Sequence, residues 1–358
     1  MQVDEHDIED IALGATVLGT GGGGDPHVGK LVAKQAIRDH GPVEVIPPDD
    51  LDDDALVIPT AQMGAPTVAV EKVPGGGEPT ASLERLEKEL GREATATMPI
   101  ECGGINSTFP FAVAARKDIP LVDADGMGRA FPELQHETFN IYGVDGTPAV
   151  VSDERGNTCL LETDSNEELE WIARGITVRM GGVGYIADYP MSGEEVTETA
   201  IPGTMSLAAE LGAAVRSAGE NVVEAIREVT SESIYGEAVS LFEGKIVDVK
   251  RRNEGGFVLG HVELDGLGPD HGSTMHIEFQ NENLGATLDG EYVATVPDLI
   301  TVLDRESGDP IPTEKLRYGA RARVLAIPTP PIMRSDAALD VWGPRTFGLE
   351  TDYSPISP

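Results

Sequence analysis

The densest concentration of chemically useful backbone lies near the start of the chain, where five of the seven residues from Gly19 to Asp25 are glycine. Glycine reaches positive φ without steric cost and carries no side chain to hold a ligand off the main chain. Asp25 reads as an N-cap and Pro26 as the first helical residue, with Val28, Leu31, Val32 and Gln35 following at helical spacing. A glycine loop feeding a helix aims unpaired N–H groups at one point, which suits a carboxylate, a phosphate or an oxyanion. Gly21, Gly22, Gly23, Gly24 and Asp25 are therefore candidate ligand-binding residues. Further along, the run Glu101-Cys102-Gly103-Gly104-Ile105-Asn106-Ser107 and the segment from Asp123 to Glu133 supply acids, a thiol and a guanidinium. Glu101, Asp123, Asp125 and Glu133 are the acid/base candidates. Cys102 is a nucleophile, a soft metal ligand or buried filler. Arg129 is either a bidentate clamp for a substrate carboxylate or a structural ion pair. Asn106 and Ser107 either donate to a ring carbonyl or cap the next helix. Asp25, His27 and His136 are of metal-ligand type, so a divalent ion such as zinc is an open cofactor, yet no tight H-x-x-x-H spacing occurs. His261, His271 and His276 fall on β-type segments, where alternation scatters side chains.

These residues need elements to bring them together. Gly19, Gly21 and Gly24 spell G-x-G-x-x-G, but a dinucleotide fold wants a strand before the loop. Here Ile8, Ile11, Ala12, Ala15 and Leu18 recur at helical spacing, so the context is helix, loop, helix, and G-K-[ST] is absent. A nucleotide enzyme is accordingly disfavoured. Strand-type runs at 43–46, 55–59, 94–100 and 119–123 alternate with helical stretches at 80–90 and 109–115. That alternation predicts an N-terminal α/β layered domain with a mostly parallel sheet. The loops after Pro59, Ile100 and Val122 then lie beyond strand ends, where ligands collect in such sheets. Hairpins are expected over 138–163, including a strand at 139–142, and helices at 166–180, 204–216 and 221–229. After Tyr235 nearly everything reads as β with Gly, Asp or Asn turns, a pattern for a barrel or sandwich. The expected division is residues 1–165, an α/β domain; 166–234, a helical connector; and 235–358, a mainly-β domain.

Composition narrows the function. At 358 residues the chain is long for a single core. The formal charge is −36, with acidic residues dispersed and only 8 Lys against 18 Arg. That balance resembles proteins of salt-loaded, halophile-type cytoplasm, and it argues against nucleic-acid binding, which needs a basic face. No apolar run is long enough to span a membrane, the N-terminus lacks a signal-peptide core, and two cysteines make no disulfide framework. A cytoplasmic location is expected.

LGTGGGGDPHVGK (Leu18–Lys30), MGAPTV with EK (Met63–Lys72), ECGGINS (Glu101–Ser107), VDADGMGRAFPEL (Val122–Leu134), DGEYVATVPDLI with PIPTEKLRYG, and GPRTFG with DY span the chain in order. With these stretches it resembles the hydantoinase/oxoprolinase-like family, whose named member is S-methyl thiohydantoin desulfurase. The resemblance implies an N-terminal α/β domain, a C-terminal mainly-β domain, and hydrolytic replacement of a sulfur substituent on a five-membered ring. The alternative it leaves open is a non-catalytic accessory subunit of a hydantoinase or oxoprolinase, or a small-molecule-binding partner. A homo-oligomer or a larger hydantoinase subunit is the partner it suggests.

Overall fold

The structure is a computed structural model that describes residues 1–24, 26–64, 72, 74–255 and 257–356. Asp25, an expected binding and metal-ligand residue, and most of the MGAPTV stretch lie outside the described residues.

The first sheet carries nine strands and is mixed. It is built from β1 (Gln2–Val3), β2 (Val43–Ile46), β3 (Leu56–Gly64), β4 (Ala96–Met98), β5 (Leu121–Val122), β7 (Ala149–Ser152), β8 (Thr158–Leu161), β9 (Val183–Ala187) and β10 (Met191–Ser192), while β6 (Ala124–Asp125) pairs separately with β11 (Ile201–Pro202). The order is β1-β2-β5-β4-β3-β9-β7-β8, with β10 beside β3. Only β2–β5, β5–β4 and β4–β3 are parallel; the other pairings are antiparallel. The expected mostly parallel sheet is thus corrected. Helical crossovers fix direction only in the first half, and β9 arrives from a later segment to run against β3. Eight of the nine residues of β3 are buried, the pattern of a strand covered on both faces.

Helices α1 (Asp7–Leu18), α2 (Pro26–His40), α3 (Glu78–Leu90) and α4 (Phe109–Lys117) form where the apolar spacing placed them. The stretch expected as a strand at 139–142 is instead the short helix α5 (Thr138–Ile141) and its C-cap. After α6 (Asn166–Arg179) and α7 (Gly193–Thr199), α8 (Thr204–Ala218) crosses α1 closely. A Cβ on Gly14 would sit 1.8 Å from the Ala208 carbonyl oxygen, and one on Gly212 would sit 1.8 Å from that of Asp10. Neither crossing position admits a side chain, so the two backbones meet directly.

Beyond α9 (Val222–Ser231), the chain forms β12 (Val239–Glu254), β13 (Phe257–Gly266), β14 (Thr274–Gln280), β15 (Glu282–Leu288), β16 (Glu291–Thr295), β17 (Leu299–Asp304) and β18 (Arg321–Ile327), ending near α10 (Asp336–Trp342). All neighbours in this seven-stranded sheet, β16-β15-β14-β13-β12-β18-β17, are antiparallel. It is one curled sheet, a half-barrel, where a barrel or sandwich was expected. The curl brings β15 near β17, where Asn283 Nδ2 donates to the Ile300 carbonyl at 2.9 Å. The principal apolar core runs from α1, α2 and α8 into Leu299, Leu303, Leu325 and Ile327 of β17 and β18. The two sheets therefore share buried surface, and the seam between them holds the loops of interest.

Candidate active site

The two glycine-bearing loops press backbone to backbone. A Cβ on Gly23 would lie 2.5 Å from the Gly103 carbonyl carbon, and one on Gly104 would lie 2.2 Å from the Gly23 oxygen. The Ile105 amide donates to the Gly23 carbonyl at 2.8 Å. Gly21, Gly23, Gly24 and Gly104 all have positive φ. The run is also stitched to the second sheet, because Asn283 N–H donates to Thr20 O and Thr313 N–H to Gly21 O, each at 2.8 Å. Gly22 N–H donates back to Gly19 O. The glycines thus serve close approach between chain segments, and Gly23 and Gly24 also line a cavity.

That cavity, about 70 Å³, is lined by Gly23, Gly24, Glu101, Asn106, Glu133 and Glu282, together with Gln62, Phe131, Arg174 and Asn281. It has room for about two waters. Glu133 and Arg174 also line an outer groove of about 540 Å³, so they mark its mouth. Glu101 is 4% exposed. Asn106 Nδ2 donates to its Oε1 at 2.6 Å, and the Phe131 N–H to its Oε2 at 3.3 Å. Burial pushes Glu101 up to about 8; the Asn106 and Phe131 donors oppose this, as does the Arg129 charge, while the Asp125 charge adds to it. At neutral pH Glu101 is therefore a carboxylic acid able to donate a proton.

Asn106 is fully engaged in holding that acid. Its Oδ1 accepts from Gln62 N–H at 2.8 Å, and its Nδ2 also donates to Gln62 O at 3.0 Å, so the side chain is zipped to β3. Ser107 turns inward, donating to the Gly104 carbonyl. Asp125 stands behind the cavity. Its Oδ2 gathers the amides of Cys102 at 2.7 Å, Gly128 at 2.8 Å and Met127 at 3.3 Å, and burial raises it to about 7. Asp123 lies apart, capping α8 by accepting from Met205 and Ser206 amides and the Ser206 hydroxyl. The Cys102 thiol is wholly buried and reaches the Thr204 carbonyl at 3.5 Å; burial, with Asp125, Asp123 and Glu101 nearby, drives it well above its ordinary range. It stays protonated and does not line the cavity.

Arg129 sits behind the cavity wall, fully buried. Nε donates to Ala130 O, Nη1 to Asp298 O and, at 3.4 Å, Pro297 O, and Nη2 to Thr20 Oγ1 and Asn283 O. All five N–H groups end on protein oxygens, leaving none for a substrate, and its guanidinium lies 4.8 Å from the Phe131 ring centre. Burial lowers it to about 10, against the supporting charges of Glu282 and Asp298, so it remains a cation. Glu133, half-buried and raised by burial and by Glu170, accepts from Gln135 and lies 3.7 Å from His136 Nε2. His136 is neutral, since burial and the Arg129 charge bring it down to about 3. His27 is exposed and lines a different, larger cleft. Among the described residues no group of three or more His, Cys, Asp or Glu side chains is arranged to hold a metal ion.

Glu282, Gln62 and Arg174 escaped the sequence reading. Glu282 opens β15 within Gln280-Asn281-Glu282-Asn283, a polar run that interrupts the apolar alternation, and Asn281 there has φ +58°. That interruption was the available signal. Glu282 is 2% exposed, and its Oε2 has no hydrogen-bond partner among the described residues. Burial, followed by the Glu101 charge, raises it well above the usual carboxylate range; Arg129 and the Gly23 amide pull the other way.

The fold and site define a protein of two large sheets, one mixed and one curled antiparallel, with a carboxyl-lined cavity at their seam. Comparison with known families matches residues 6–163 to the S-Me-THD-like N-terminal domain and 164–356 to the S-Me-THD-like C-terminal domain, and the chain belongs to this S-Me-THD-like family. A crystal structure of a protein from Chromobacterium violaceum is similar over 100% of both chains, with TM-score 0.83 and 23% identity, a likeness of fold. A search of curated proteins found no match. No described helix is long and apolar enough to cross a membrane.

Proposed function

We propose that this chain hydrolyses the carbon–sulfur bond of a small five-membered S-methyl thiohydantoin-type ring, giving a hydantoin and a thiol. The observation that carries the reading is Glu101, an acid held protonated at neutral pH by burial and oriented by Asn106 and Phe131 at the wall of a small cavity. Water must add to an sp² carbon between two nitrogens. Protonating the ring nitrogen makes that carbon electrophilic, and a buried acid with a raised pKa is suited to the task. The inner cavity has room for the attacking water beside Glu101, and the outer groove past Glu133 and Arg174 has room for a small ring. Family membership agrees with this chemistry.

The test is incubation of the isolated chain with S-methyl thiohydantoin propionate, following thiol release and hydantoin formation. The assay is run across ionic strengths up to molar salt and with added divalent metals. Turnover that disappears in Glu101→Gln supports the reading. Binding without turnover in every condition would point to an accessory role, and neither binding nor turnover would remove the proposed substrate.

A further inference from the structure

We propose that Glu282 is the second catalytic carboxyl of this cavity, taking the proton of the attacking water through Oε2 while Glu101 serves as the acid. The inference rests on the hydrolytic reading above and assigns its missing base.

Three observations carry it. Glu282 and Glu101 line the same small cavity although 181 positions apart, on β15 and on the loop after β4. The Oε2 of Glu282 is buried yet lacks a hydrogen-bond partner among the described residues, whereas both oxygens of Glu101 accept donors. Buried polar atoms are ordinarily satisfied, so an unpartnered carboxyl oxygen on a residue that lines a cavity marks a group with a use there. The third is the clearance made for this side chain. A Cβ on Gly22 would fall 2.0 Å from Glu282 Oε1 and 2.5 Å from Cδ, so only glycine at 22 leaves the carboxyl its place. Glu133 is the less suitable base, since it stands half-exposed at the mouth and is already bonded to Gln135.

The electrostatics fit a divided role. Like charges in one cavity do not both ionise readily, and two such carboxyls titrate as a pair. Arg129 favours one negative charge on the pair; burial and the Glu101 charge raise Glu282, the Gly23 amide opposes them, and the Asn106 and Phe131 donors support the charged form of Glu101, so that charge is shared between the two carboxyls. Asp125 faces Glu101 from behind, and Asp298 faces Arg129 while holding its own donors from Thr329, Tyr353 and Ile356.

The step balances. Water adds its oxygen to the ring carbon and gives one proton to Glu282, while Glu101 protonates the ring nitrogen. In the tetrahedral adduct the carbon–sulfur bond then breaks. The adduct hydroxyl returns a proton to Glu101 as the new carbonyl forms, and Glu282 protonates the departing methanethiolate. Both carboxyls end as they began, with no redox change.

The experiment compares Glu282→Gln, Glu282→Asp and Glu133→Gln. Glu282→Gln is expected to lower kcat by about 10²–10⁴-fold with KM little changed, and to erase the acid-side limb of the kcat/KM pH profile. Glu282→Asp, which still fits beneath Gly22, retains that limb with partial activity, and Glu133→Gln keeps it too. Near-normal turnover with both limbs in a cooperatively folded Glu282→Gln would overturn the assignment, as would loss of the limb in Glu133→Gln. Carboxyl NMR on ¹³C-labelled protein reads the pair without substrate. Glu101 and Glu282 should titrate in two coupled steps, and Glu282→Gln should lower the Glu101 midpoint. Independent single-step titrations would refute the pairing even if the wild type proved inert towards thiohydantoins, a result that by itself would defeat only the proposed reaction.

Discussion

Two sets of buried carboxyls lie within one molecule, and they differ in their surroundings. Glu101 and Glu282 face a cavity that opens past Glu133 and Arg174. Glu137 and Asp188 do not line it, although both are fully buried, their four oxygens lack hydrogen-bond partners among the described residues, and burial raises both, Asp188 to about 8. A carboxyl held protonated by burial is therefore not by itself a mark of chemistry. What separates the sets is access: one can meet water and a ligand, while the other packs against Tyr189 and beneath Gly126, where a Cβ would approach Glu137 Oε2 to 2.6 Å. The lesson is that perturbed acids point to a site only together with a space to act in.

The sharpest way to break this comparison is turnover. Glu101→Gln is expected to cut kcat/KM for the thiohydantoin by about 10²–10⁴-fold, and Asp188→Asn by less than about tenfold. Equal losses, measured by steady-state thiol release on folded variants, would abolish the distinction. Stability should unite the sets. Glu101 moves from 4.5 to about 8, Asp188 from 3.8 to about 8 and Asp125 from 3.8 to about 7, so the native chain keeps protons that the unfolded chain releases. Their stabilisation is full below pH 3.8 and is lost progressively as pH rises through about 8. Each pH unit of that interval is worth about 1.4 kcal/mol per group. Urea melts should show a shallower decline between pH 5 and 8 in Asp188→Asn than in the parent, and an unchanged slope would remove Asp188 from the account. The smallest effect belongs to Cys102. Its buried thiol should resist thiol reagents in the native state, and Cys102→Ala should retain turnover within about tenfold. Rapid native labelling, or a dead alanine variant, would return Cys102 to the chemistry.

Much of the first half was legible because its signals are local. The apolar spacing from Ile8 to Leu18 and the run at Leu56–Ile58 each determine an element without reference to anything distant. Strand direction was not legible, since periodicity carries no sense of direction and β9 pairs with β3 across more than a hundred residues. The glycine run announced itself, but glycine suits a crowded backbone seam as well as an anion cradle, and only the partner segments decide between them. Glu101 and Glu133 stood out beside unusual neighbours. Glu282 did not, because in a chain carrying 62 acidic residues one more glutamate looks like solvated surface. Arg129 was visible as a type, while its use depended on carbonyls far along the chain.

The Arg129 clasp also bears on how the chain is made. Its guanidinium waits for the Asn283 carbonyl, 154 positions downstream, and for those of Pro297 and Asp298 beyond it. On a ribosome, this cation stays hydrated and the seam stays open until the segment from Asn283 to Asp298 has emerged. Maturation of the centre is thereby tied to synthesis through Asp298, and a chain that stops short of Asn283 would carry a solvated arginine where the folded protein has a wall.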